Sequence, residues 1–104
     1  MNKYFWRAIT AKERIEAIPA ITAAIGKYAI LLQFQRFSDI SLSLVLELPE
    51  NQLGNLHEEL MSLMSVEAPE LPSHGLPSEC ILLLQVDFAK GTGELVIENP
   101  NLPE

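Results

Sequence analysis

Between Ile40 and Leu48 the chain reads ISLSLVLEL, and no other stretch restricts its fold as strongly. Side chains of an extended strand point alternately to two faces. Ile40, Leu42, Leu44, Leu46 and Leu48 therefore share one face, and Ser41, Ser43, Val45 and Glu47 share the other. A helix would scatter the same leucines around its whole circumference. The segment is a strand with one face on a core and the reverse face of mixed character.

The preceding run, Tyr28 to Phe37, also alternates and forms a hairpin with it. A turn of Ser38 and Asp39 alone would set Gln35 opposite Leu42. A three-residue loop, Phe37 to Asp39, instead pairs Phe34 with Leu42, Leu32 with Leu44 and Ile30 with Leu46. That is the expected register, because a slip of one residue turns an apolar set to the wrong face. Asp39 then takes the left-handed position, which aspartate tolerates.

Tyr4 to Ile9 reads as a strand rich in aromatic and branched residues. Thr10-Ala11-Lys12-Glu13 has the form of a capping box and starts a helix. Ile15, Ile18, Ile21 and Ile25 give that helix a buried stripe, Pro19 is expected to kink or break it, and Gly26 to end it. A second helix is expected from about Gln52 to Ser65, with Leu53, Leu56, Leu60, Leu63 and Met64 on one side. Residues 66–79, with prolines at 69, 72 and 77, read as an irregular surface loop.

Cys80 to Phe88 alternates again, and DFAKGTGELVI follows it. A Gly91-Thr92 turn of type II′ pairs Phe88 with Leu95 and Val86 with Ile97, making a terminal hairpin. A phosphate-binding loop needs GxxxxGK[ST] feeding a helix, whereas this stretch feeds ELVIE between Asp87, Glu94 and Glu98. Residues 99–104 read as a loose tail.

Strand, helix, strand, strand, helix, strand and one added hairpin strand make an α+β domain of the ferredoxin-like βαββαβ type. Its expected form is an antiparallel sheet with two helices on one face, spanning residues 1–104 as a single domain. The order of elements is similar to that of the regulatory ACT type of domain. The first strand-to-helix turn, Ile9-Thr10-Ala11-Lys12, lacks the glycine that ligand loops of that type often carry.

Charge narrows the function classes. The net charge is −7, and six of the seven basic residues precede Ile40, while eleven acidic groups follow it. Such a chain repels a polyanion, which argues against nucleic acid. No apolar run approaches the roughly 20 residues of a membrane-spanning helix, and MNKYFWRAIT lacks the apolar stretch of a secretory signal. The expectation is a cytoplasmic chain without a membrane partner. The lone Cys80 sits in an apolar strand and reads as structural. His57 and His74 stand in no metal-ligand spacing and read as solvated, so neither a metal nor a cofactor is called for.

What remains is the sheet face that the helices leave uncovered. Leu31, Gln33, Gln35, Ser41, Ser43, Val45, Leu83 and Gln85 are expected there, more apolar than a face left to water. The expected function is a noncatalytic module that forms a homodimer through this face and binds a small molecule at the subunit boundary. One alternative is an acidic interaction or inhibitor protein whose surface from Glu47 to Glu79 binds a basic protein. Another is a small dimeric enzyme, for which Arg7, Arg36 and Asp87 are the groups of interest.

Overall fold

A computed structural model describes residues 2–38, 40–67 and 78–89. The elements are β1 (Lys3–Thr10), α1 (Arg14–Tyr28), β2 (Ile30–Ser38), β3 (Ser41–Pro49), a 3₁₀ turn (Glu50–Gln52), α2 (Leu53–Met61), β4 (Ser65–Glu67) and β5 (Glu79–Phe88). The protein is α+β: one five-stranded sheet in the order β2-β3-β5-β1-β4, with both helices on one side.

The alternation has the predicted outcome from Leu42 onward, while Ile40, expected in the same stripe, lies in the turn before β3 and is 46% exposed. Leu42, Leu44, Leu46 and Leu48 are fully buried on the helix side. β5 mirrors it with Cys80, Leu82, Leu84, Val86 and Phe88, and β1 adds Trp6, Ala8 and Thr10. Registers align these residues across three strands, so that Leu44, Leu84 and Trp6 form one row and Leu42, Val86 and Ala8 another. The helices close the layer from above with Ala17, Ile21, Ala24 and Ile25 of α1 and Leu53, Leu56 and Leu60 of α2.

Sheet order is where the expectation fails. The sheet is mixed, not antiparallel: β5 lies between β1 and β3, parallel to β1 and antiparallel to β3. This departs from the simple ferredoxin-like order, in which β1 and β3 are direct neighbours. The edge beside β1, expected for Cys80 to Phe88, is held by β4, from a stretch read as a helix end and loop, which pairs antiparallel with Arg7, Ala8 and Ile9. With both edges of β5 taken, it offers no edge to a hairpin partner. The anticipated Gly91-Thr92 turn and its second strand lie outside the described residues, as do most of the proline-rich loop and the tail.

The hairpin register also differs. Phe34 lies opposite Leu44 and Leu31 opposite Leu46, with shifts between Leu31 and Gln33 and between Arg36 and Ser38. Leu31 and Phe34 are three residues apart, so an unbroken strand would send them to opposite faces. A bulge at Leu32 brings both to the helix side. The strand runs on to Ser38, which is the register partner of Ser41, so the three-residue loop does not form. Asp39 itself is outside the described residues.

No capping box forms at α1. Thr10 is the last residue of β1, its hydroxyl accepts from the Lys12 amide at 3.1 Å, and Glu13 is the N-cap with no side-chain bond. α1 runs past Gly26 to Tyr28 as one helix, with Pro19 inside it. Proline there removes the bond to the carbonyl of Ile15, a residue on the exposed side of the helix, where water can serve instead. The buried stripe is rotated toward the alanines: Ala17 and Ala24 are buried, while Ile15 is 81% exposed.

Two polar ties connect the layers. The Glu59 carboxylate on α2 accepts from Lys27 Nζ and, at 2.9 Å, from Tyr28 Oη at the end of α1. The buried Glu50 carboxylate accepts from Asn2 Nδ2 at 2.7 Å and from the Tyr4 hydroxyl, and the Glu50 amide donates to Ser78 O at 2.8 Å. These contacts anchor the start of β1 and the approach to β5 on the 3₁₀ turn.

Two outcomes follow. Leu84→Ala opens a cavity in the central row and lowers unfolding free energy by about 2–5 kcal/mol in chemical denaturation. The hydrogen bonds from Lys27 and then Tyr28 hold the Glu59 carboxyl below its ordinary pKa, so its contribution is present above the usual carboxylate range and disappears as pH falls through the depressed value. The same contacts raise Lys27 and Tyr28, so their contribution is lost only on the alkaline side. Glu59→Gln should flatten the acid limb of stability against pH; an unchanged limb would show that the tie contributes nothing.

Candidate functional site

The side of the sheet opposite the helices carries a grid set by the registers. One row runs Glu67, Arg7, Gln85, Ser43 and Gln35 from β4 across to β2; the next toward the β4 start runs Ser65, Ile9, Asp87 and Ser41. On the other flank lies Phe5, Leu83, Val45 and Gln33, followed by Lys3, Ile81, Glu47 and Ile30. The face is therefore divided into a polar half and a band of Phe5, Leu83, Val45 and Ile81. Phe5 and Ile9 remain about half exposed.

Seven of the eight expected residues share this face: Gln33, Gln35, Ser41, Ser43, Val45, Leu83 and Gln85. Leu31 does not, because the bulge turns it to the helix side opposite Leu46. Sequence reasoning missed Phe5, Ile9, Glu67 and Ser65 as members. The alternation of KYFWRAIT would have placed Phe5, Arg7 and Ile9 on one face, but the position of β1 beside β5 is a long-range pairing that periodicity does not reveal.

At the polar corner is a notch of about 310 Å³ lined by Arg7, Ala8, Ile9, Ser65, Val66, Glu67 and Asp87. Arg7 Nη2 stands 3.7 Å from Asp87 Oδ2, an ion pair longer than a hydrogen bond, with the Arg7 side chain 56% exposed. Gln85 Nε2 donates weakly to Asp87 Oδ1 at 3.5 Å. Thus two of the three groups singled out for catalysis, Arg7 and Asp87, come together. Arg36 does not join them: it lies on the edge strand opposite Leu42, in the helix-side register. The notch is within the volume range of small-molecule sites, and it supplies a guanidinium between two carboxylates.

The remaining reactive side chains are accounted for by packing. Cys80 is buried, and desolvation, helped by the nearby charges of Glu50 and Glu79, pushes its thiol up to about 11. The thiolate that nucleophilic chemistry requires is thereby suppressed. His57 is not a freely solvated side chain: its ring meets Trp6 edge to face, centroids 5.4 Å apart. His74 lies outside the described residues. Among the described residues no three His, Cys, Asp or Glu side chains converge as metal ligands, and no helix is long and apolar enough to cross a membrane.

Comparison with family models, with curated proteins and with solved structures finds no match for this chain. The geometry of the open face is accordingly what a functional reading has to rest on. The Cys80 environment makes its own prediction: a thiol reagent at neutral pH should modify Cys80 only after denaturant is added, and stoichiometric labelling of the folded protein would contradict the burial described.

Proposed function

We propose that the chain is a noncatalytic module that associates with a second copy through the open sheet face and holds a small molecule at the resulting boundary. One observation carries this reading: the band of Phe5, Leu83 and Val45 adjoins a charged notch on a face that no described element covers. Apolar surface of this kind is stabilised by removal from water, and a twofold contact is the simplest way to remove it. The notch at its margin then becomes partly enclosed, which strengthens the field of Arg7 and its flanking carboxylates on a polar ligand.

In topology, we read the sheet as a ferredoxin-like arrangement opened at its centre. Leaving out β5, the order β4-β1-β3-β2 remains, with α1 and α2 as the two crossovers. The uncovered face is the one such sheets have available for association.

Sedimentation tests the proposal. Val45→Lys and Leu83→Lys each place a charge in the apolar band without touching the buried rows. They should abolish the salt-insensitive association through this face while the protein stays folded, with unchanged circular dichroism. A wild-type monomer that instead binds polylysine in a salt-labile manner would favour an acidic surface serving a basic partner.

A further inference from the structure

The helix layer covers β2 only in part. On one flank of α1, Ala17 and Ala20 lie by Leu63 and Met64, just past the end of α2; on the other, Ile18 and Thr22 adjoin Phe34, Leu42 and Leu44 of the sheet. Ile15, one turn before Ile18, continues that second flank and is 81% exposed. Along the adjacent strand Ile30 (63%), Leu31, Leu32 and Phe34 are exposed as well. Five of the nine exposed large apolar side chains among the described residues thus lie along one side of the molecule.

That side is also a sheet edge. β2 is the terminal strand among the described residues, and one row of its backbone amides and carbonyls has no ladder partner among them. Proteins guard such edges with proline, charged residues, bulges or very short strands; β2 is nine residues long with no proline or lysine, and its guards are Arg36 and the two bulges. Its two bulges leave Gln33 to Arg36 in regular register.

We propose that this edge pairs antiparallel with β2 of a second copy, continuing the sheet across a twofold axis while the Ile15–Ile18 flanks of the two α1 helices meet above the seam. This contact is distinct from the one through the open face. An extended peptide would satisfy the strand backbone but leave Ile15 in water. The exposed surface has a strand layer and a helix layer, and the same edge of another copy supplies both.

Register and charge agree with a copy as occupant. Opposed residues of an antiparallel pair share a face, so a self-pairing strand must place a residue on the axis, not a gap between two. An axis through Phe34 sets it against its own copy on the helix side, Gln33 against Gln35 on the open side, and Arg36 against Leu32, which keeps the two guanidinium groups apart. Residues 17–38 contain no acidic group, so in a chain of net charge −7 the strand part of the contact brings no carboxylates of its own together; Glu13 and Glu16 border only the Ile15 end. The exposed side chains amount to on the order of 500 Å² per copy before the backbone is counted, against about 800 Å² per partner for a standard interface.

Sedimentation equilibrium of the wild type, Leu32→Lys, Ile15→Lys and Val45→Lys tests this, with amide exchange of residues 30–36 read at high and low protein concentration. Both edge substitutions sit at exposed positions, so the monomer fold should persist. Each should raise the dimer dissociation constant at least about tenfold. The exchange of alternate β2 amides should slow with concentration in the wild type and in Val45→Lys. Association that survives Leu32→Lys and Ile15→Lys but is lost in Val45→Lys would overturn the edge contact and leave the open-face contact standing. A wild type that stays monomeric, or β2 amides whose exchange ignores concentration, would overturn the edge contact outright.

Discussion

β5 is paired on both edges from Ile81 to Asp87, to β1 on one side and to β3 on the other. Without it the sheet falls into two parts, the β2–β3 hairpin and the β1–β4 pair, with no ladder between them. The buried rows cross it too: Leu82, Leu84 and Val86 stand between the leucines of β3 and the Tyr4, Trp6 and Ala8 side chains of β1. Both helices pack on the surface those rows create. The open face has the same origin, since Leu83, Gln85 and Asp87 are the residues that join Phe5, Arg7 and Ile9 to Val45, Ser43 and Ser41.

How much of this was legible depends on the range of the interaction involved. The strand character of β3 and β5 is written in strict alternation, and the structure follows it residue by residue. Alternation says nothing about which strand lies beside which, because a partner chosen over tens of residues leaves no local mark. The short β4, with a single buried valine between Ser65 and Glu67, has too little pattern to stand out from a loop. Its capture of the β1 edge then displaced the expected order.

In α1 the isoleucine stripe holds at Ile21 and Ile25, with Ile18 partly buried, and fails at Ile15, for a different reason. Isoleucines carry the most apolar surface, which is what the pattern weighs. Alanines at 17, 20 and 24 permit a closer approach, and the helix turned that flank inward, leaving Ile15 out. The hairpin shows a related limit: Leu31 and Phe34 share a face only through a bulge, and a period-two rule has no place for one. Much of the candidate site was nonetheless visible, since membership of the open face on β3 and β5 is a matter of parity alone. Arg7 and Asp87 were identified by chemistry, and the fold explains their proximity.

The centre of the sheet comes from a late part of the described chain. During synthesis, β1, α1, the hairpin and α2 all leave the ribosome before the strand that unites them. Until it arrives, the leucine rows of β3 and the indole of Trp6 lack the strand that joins them, so folding depends on contacts far apart in sequence and is correspondingly slow. The nascent chain is then exposed to association through unpaired edges for longer than a helical bundle of equal length would be. Expression conditions and helper proteins should therefore influence the yield of this protein more than its finished packing suggests.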